Sequence, residues 1–198
     1  MGDVYLVAGL GNPGPGYAAT RHNVGFLTVD ELLDRLGGRF RRSRKHHALV
    51  AEVRDGDTRL ILAEPQTFMN ESGRSVAALQ SFYKLEPAEL IVVHDELDLS
   101  FGVVRVKLGG GTAGHNGLNS IARSIGRDFI RVRVGIGRPS GRKDPVDFVL
   151  EPFTKREREA VPELVGRAAD AVITVVREGV AAAQTSFNQR VEPSRLDP

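Results

Sequence analysis

The chain contains no cysteine and no tryptophan, and its aromatic share is only 6%. Without thiols there is no disulfide framework, no thiolate metal site and no cysteine nucleophile, so acyl-enzyme chemistry of the Cys/His kind is excluded. No stretch approaches the roughly 18 consecutive apolar residues that a membrane-spanning helix needs, and the N-terminus lacks the basic-then-apolar layout of a secretory signal. Neither a Gly-x-Ser-x-Gly elbow nor a His-Glu-x-x-His pair occurs, so a serine hydrolase and a zinc protease are not signalled. The expectation is a soluble, intracellular chain without a membrane or metal partner.

What is present is 198 residues, 41% hydrophobic and 26% charged, a composition that suits one globular unit. Residues 1–191 are assigned to a single α/β domain and 192–198 to a loose tail. The net charge of +2 hides a lopsided distribution. Residues 39–47 carry Arg39, Arg41, Arg42, Arg44 and Lys45 with no acid, and residues 101–143 carry nine basic residues against Asp128 alone. The remainder is acidic. Such segregation points to a basic face for a polyanion, although solvated arginines on a helix or strand give the same count.

Val4 to Ala8 reads as a buried strand entering the loop Gly9 to Gly16. A helix follows, with Thr20 as cap, Val24, Leu27, Leu32, Leu33 and Leu36 as its apolar stripe and Gly37-Gly38 as its stop. Asp55-Gly56-Asp57 between Ala48–Val53 and Leu60–Ala63 signals a hairpin. Val76, Leu79 and Phe82 predict a helix beginning at Asn70 and ending at Pro87, and Leu90–Val93 has the continuous apolar run of a strand covered on both faces. Val103–Leu108 and Ile130–Ile136 alternate with basic residues and predict two half-wet strands, which as neighbours would put Lys107 and Arg133 on one exposed face. Between them lie the loop Gly109–Gly114 and a short helix from about Asn116 to Ile125. Thr154 with Glu157 forms a capping box for a long helix into the 170s. The fold class expected is an α/β sandwich around a mixed, mostly parallel sheet flanked by helices.

Two glycine motifs are decoys. Gly9-Leu10-Gly11-Asn12-Pro13-Gly14 follows a strand and formally matches a dinucleotide fingerprint, but Pro13, Pro15 and Gly16 delay the helix to about Thr20, too late to meet a pyrophosphate. Gly109 and Gly114 have P-loop spacing, yet His115-Asn116 stand where Lys-Ser/Thr is required.

More informative are small polar residues at element ends. His22 lies in the first turn of its helix, where the dipole favours the neutral imidazole that a general base needs. His94-Asp95-Glu96 ends the strand that begins at Leu90, at the edge where open α/β sheets bind ligands, so Asp95 is placed to orient a histidine. Asn12 follows the first strand, Asn70 follows Phe68-Met69, and His115-Asn116 close the glycine loop. Each has a plainer alternative: Asn70 as an N-cap, Asn12 as a turn residue, His22 as a surface histidine.

The motifs Val7-Ala8-Gly9-Leu10-Gly11-Asn12-Pro13-Gly14, Thr20-Arg21-His22-Asn23-Val24-Gly25, Pro65-Gln66-Thr67-Phe68-Met69-Asn70, His94-Asp95-Glu96-Leu97-Asp98 and Gly114-His115-Asn116-Gly117 resemble the bacterial peptidyl-tRNA hydrolase family, in order and spacing, to about residue 185. The departures are the 39–47 stretch, Thr112 and the tail. The resemblance implies a monomeric cytoplasmic enzyme, without cofactor, that hydrolyses the ester between a nascent peptide and the 3′-terminal ribose of tRNA and so recycles tRNA. It makes His22 the general base, Asp95 its orienting partner, and Asn12, Asn70 and Asn116 the groups that hold the peptidyl moiety and water. Tyr17, Phe68, Met69 and His115 would line the cleft, which takes the acceptor end and CCA terminus, while Lys107 and Arg133 would grip tRNA phosphate. The competing class is a non-catalytic RNA-binding module using the same basic face, but few aromatic platforms are available for single strands.

Overall fold

Alternating apolar side chains sort the central strands between two cores. In β1 (Val4–Gly9), Leu6 and Ala8 face one helical layer while Val7 faces the other, and β5 (Leu90–Glu96) does the same with Leu90 and Val92 against Ile91 and Val93. A strand buried on both faces must be apolar throughout, which is why these runs carry no charge until His94. The computed structural model describes residues 3–189; the tail assigned from Glu192 lies outside them.

Seven strands make one sheet in the order β2-β3-β4-β1-β5-β7-β6. The additional strands are β2 (Arg41–Ser43), β3 (Ala48–Asp55), β4 (Thr58–Pro65), β6 (Val104–Leu108) and β7 (Ile130–Gly135). Strands β4, β1, β5 and β7 form a parallel centre, and β2, β3 and β6 add antiparallel flanks. Helices α1 (Val24–Leu36), α5 (Lys155–Glu178) and α6 (Val180–Phe187) cover one face; α2 (Ser72–Tyr83) and α3 (Asn116–Ile125) cover the other. A five-residue helix, α4 (Pro145–Val149), lies at the rim. This is the mixed α/β sandwich that the sequence predicts. Because β4 and β5 flank β1 on opposite sides, a crevice opens outside the carboxyl ends of these strands, the usual place for a ligand.

One close approach fixes the rim at the end of β1. A Cβ on Gly9 would lie 2.3 Å from the Gly25 carbonyl oxygen, and one on Gly25 would lie 2.4 Å from the Leu10 nitrogen. Only glycine at both positions lets the start of α1 rest on the end of β1, and the turn carrying His22 is held over the sheet by that contact.

Several local readings need correction. Thr20 does not cap α1 with its side chain: a 3-10 turn, Arg21–Asn23, precedes the helix, and the Thr20 hydroxyl donates to the Tyr17 carbonyl at 2.8 Å. Asn70 sits inside another 3-10 turn, Met69–Glu71, so α2 begins at Ser72; it ends at Lys84 in the left-handed conformation, and Pro87 opens a separate turn. Phe82 points to solvent, 53% exposed, where the side chains of Lys45 and His46 pack on its ring. Strand β7 is not half-wet, because Arg131 is only 2% exposed. Its guanidinium turns under the glycine loop and donates to the carbonyls of Gly110 (2.7 Å) and Gly111. Strand β2 and helices α4 and α6 are absent from the sequence reading.

Candidate active site

Loop 10–23 is braced by one carboxamide. Buried Asn23 accepts from the Asn12 N–H and donates to the Asn12 carbonyl, both at 2.9 Å, as a β-strand partner would. The Asn12 side-chain oxygen in turn accepts from the Met69 N–H at 2.8 Å. Its carbonyl being committed, Asn12 offers the cleft only its NH2 donor. Asn12 therefore joins the ends of β1 and β4 to the turn of His22. Asn23 is the residue that sequence reasoning passed over; its one signal is adjacency to His22 within the Thr-Arg-His-Asn motif.

His22 leaves the 3-10 turn toward β5 and meets Asp95 there. Its Nδ1 lies 2.9 and 2.8 Å from the two carboxylate oxygens. With Nδ1–H donating, Nε2 keeps its lone pair for the cleft, the arrangement of a base and its orienter. His115 reaches the same carboxylate, with Nε2 2.8 Å from Oδ1. His94 packs edge-on to His115 with ring centroids 5.1 Å apart, and its Nδ1 donates to the Asp95 backbone carbonyl at 2.8 Å.

The electrostatics follow from burial and charge. Burial opposes ionisation of Asp95, but the His22 and His115 rings hold it well below the ordinary carboxylate range. Burial likewise pushes the His22 imidazole down, yet the charge and hydrogen bond of Asp95 outweigh it, so the net direction is up. The helix dipole, which favours the neutral ring, is thus outweighed by Asp95: an ionised carboxylate in contact dominates a partial charge. Burial, reinforced by His115, drives His94 down to about 3, so it stays neutral.

Ligand-capable atoms of His22, Asp95 and His115 lie within 4.8 Å of one another, the composition of a two-histidine, one-carboxylate metal set. The hydrogen bonds argue against that use. His115 Nδ1 accepts from the N–H groups of Gly117 and Leu118 at 3.1 and 3.3 Å, so its Nε2 must carry a proton, and a metal there would require an anionic ring.

A cavity of about 620 Å³ opens over this cluster. It is lined by Asn12, His22 and Asp95, by Asn70, His115 and Asn116, and by Phe68 and Met69 together with the apolar Val146, Val149 and Leu150 of the α4 segment. The structure thus brings together all the predicted site residues except three. Tyr17 is not among the lining residues; its carbonyl takes the Thr20 hydroxyl and amide instead. Lys107 and Arg133 lie outside the cavity on neighbouring strands. Lys107 pairs in register with Arg131 and Arg105 with Arg133, so all four share one face, opposite to valines 104, 106, 132 and 134 under α5 and α6. Arg133 is held by Glu96 at 3.1 Å. A second hollow of about 360 Å³, walled by Asn116, Asn119, Arg123 and Arg127, shares Asn116 with the first.

The family model described as peptidyl-tRNA hydrolase matches residues 6–194. The peptidyl-tRNA hydrolase of Frankia casuarinae is 56% identical over 185 residues, covering 93% of each chain, and that of Mycobacterium sp. (strain KMS) is 54% identical over 93% of this chain and 96% of its own. The crystal structure of peptidyl-tRNA hydrolase from Acinetobacter baumannii superposes with a TM-score of 0.89 at 37% identity and covers 96% of both chains. A 5′-methylthioadenosine nucleosidase of Arabidopsis thaliana, at 9% identity and a TM-score of 0.53, shares the fold alone.

Proposed function

The chain belongs to the peptidyl-tRNA hydrolase family, and from that premise we propose that His22 is the general base of an ester hydrolysis in which Asp95 orients the ring. The activity is that of a peptidyl-tRNA hydrolase, an ester hydrolase, and the substrate is an ester of peptide carboxyl and tRNA ribose. Such an ester is already activated. A positioned water and a base worth roughly 10²–10⁴-fold can hydrolyse it without a covalent intermediate. The proton of the attacking water passes to Nε2 of His22 as its oxygen bonds the ester carbon, Asp95 stabilises the imidazolium, and that proton is returned to the ribose oxygen as the ester C–O bond breaks, leaving a free peptide acid and a ribose hydroxyl. The peptidyl portion lies between Phe68 and the α4 segment, with the NH2 of Asn12 and the carboxamides of Asn70 and Asn116 reading its amide groups. The polyanion follows the basic strand face of Lys107 and Arg133, and Arg123 and Arg127 line the hollow beside Asn116. The site is complete within one chain, which fits a monomer working in the cytoplasm where its substrate is made.

The single observation that carries this reading is the 2.8 Å contact between His22 and Asp95, which come from separate elements and both line the cleft. A module that merely held RNA would have no use for it. The test is to offer N-acetyl-aminoacyl-tRNA and aminoacyl-tRNA side by side. The first should release tRNA and the second should be nearly inert, because a site built for neutral amides rejects an unpaired ammonium by desolvation. Equal rates on the two would refute the assignment of Asn70 and Asn116.

A further inference from the structure

One carboxylate serves two histidines, and the second is more than a wall of the cleft. His115 is the N-cap of α3, and its Nδ1 accepts from Gly117 and Leu118. A ring nitrogen that accepts carries no proton, so the proton of the neutral ring sits on Nε2 and is donated to Asp95 Oδ1 at 2.8 Å. His22 donates to the same oxygen at 2.9 Å and to Oδ2 at 2.8 Å. A carboxylate that accepts a further N–H has its charge satisfied twice and stabilises each donor's cation less.

We propose that His115 is a positioning residue that sets the strength of the base: by sharing the Asp95 carboxylate it holds His22 nearer to neutrality than Asp95 alone would. The proposal rests on the reading of His22 as the base. The other charges around the cluster are shared by the wild type and the variants compared below. Glu96 is held by Arg133 at 3.1 Å and Asp98 by Arg138 at 2.6 Å. Arg21, beside His22, is held by Glu157 at 2.8 Å, and Glu151 lies 3.8 Å away. Arg131, on β7, turns its two terminal nitrogens to the glycine loop. His94 cannot substitute for His115, because its own donor is committed to a backbone carbonyl and it is fully buried.

The two roles of His115, cap and donor, are separable by side-chain stereochemistry. Asparagine places its oxygen where histidine has Nδ1, so His115→Asn keeps the cap and loses the donor; glutamine places its amide nitrogen where histidine has Nε2, so His115→Gln keeps the donor and weakens the cap. The readout is an NMR titration of histidine ring carbons in the full chain without substrate, the His22 signal being assigned by its loss in His22→Ala. In His115→Asn the His22 titration should move up by about one pH unit, with the acid limb of kcat/KM following it. In His115→Gln it should stay near the wild-type position. Should His115→Asn not fold, His115→Ala is read in the same way. An unmoved His22 titration in His115→Asn, or an equal shift in both variants, would overturn the proposal, the latter by tracing the effect to a loosened helix. A ring titration that moves while the acid limb stays fixed would instead sink the assignment of His22 as base and leave the sharing of Asp95 intact.

Discussion

Asp95 holds a charge where none should be stable, 3% exposed at the end of a strand buried throughout, and the two histidine N–H donors make it possible. That arrangement defines what single substitutions do. His22→Ala should reduce turnover by about the 10²–10⁴-fold that a general base supplies, while leaving tRNA affinity nearly unchanged, since one imidazole contributes little to holding a polyanion. Single-turnover kinetics alongside a filter-binding titration checks both halves. Asp95→Asn should also lower turnover, because its amide can still contact the ring but favours the wrong tautomer and no longer stabilises the imidazolium. Its pH dependence has a definite sign. Asp95 raises His22, and the base works only when unprotonated, so the acid limb of kcat/KM should move to lower pH in Asp95→Asn. A limb that moved upward would contradict the stated cause.

At the scale of elements, the rim is a set of short segments tied to one another and to the ends of the strands. Buried Arg21 donates to the Phe148 carbonyl at 3.2 Å and to Glu157 at 2.8 Å and lies 4.1 Å over the Phe148 ring. It thereby fixes the apolar α4 segment against the turn that carries His22. On the opposite side Arg131 holds the glycine loop, whose exit delivers His115 and Asn116. Arg131→Met should lower stability by about 1.5–3 kcal/mol, the range for hydrogen bonds to a charged group, and should raise KM more than it lowers kcat. Thermal melts and steady-state kinetics on one preparation measure both. A pair of carboxyls joins α1 to β4: Glu64, 6% exposed, is pushed up to about 8 by burial and by Asp30. Its folded state keeps a proton that the unfolded chain loses near 4.5, so stability should fall as pH rises from about 4.5 to 8, and Glu64→Gln should flatten that slope in urea titrations at a series of pH values.

Legibility also divides by element. The bounds of α3, the hairpin and the Thr154–Glu157 capping box were all readable because periodicity and caps are local. Helix α4 spans too few residues to show a period, and β2 reads as a charge run because its pairing with β3 is its only structure. Arg131 misled because alternation assigns an arginine to water; it is buried because two glycine carbonyls, whose position the sequence does not reveal, lie within its reach. Most of the site was visible as Asn, His and Asp at element ends, whereas Asn23 was not, since its function is a long-range bridge to Asn12.

Across the whole molecule the charge count becomes geometry. The basic residues of β6 and β7 lie on the side of the sheet away from α5 and α6, and the buried members of the α2 and α3 core include no residue from these two strands. That leaves Lys107 exposed and Arg133 only partly satisfied by Glu96. A mostly basic flank, in which Glu96 pairs with Arg133, is what a polyanion-binding face would present, and the salt dependence of binding tests it. Removing both side chains in Lys107→Ala/Arg133→Ala should lower the slope of log affinity against log salt by roughly 1–2, each neutralised phosphate contributing about 0.9 in duplex and 0.7 in single strands. The loss should appear in KM. No side-chain hydrogen bond or ion pair joins His22 or Asp95 to either residue, so a minimal substrate carrying only the CCA end and a short peptide should react as fast with the double variant as with the wild type. An unchanged salt response on full-length tRNA would show that this flank does not bind phosphate, and a slowed minimal substrate would show that the substitutions had disturbed the cleft through the freed Glu96.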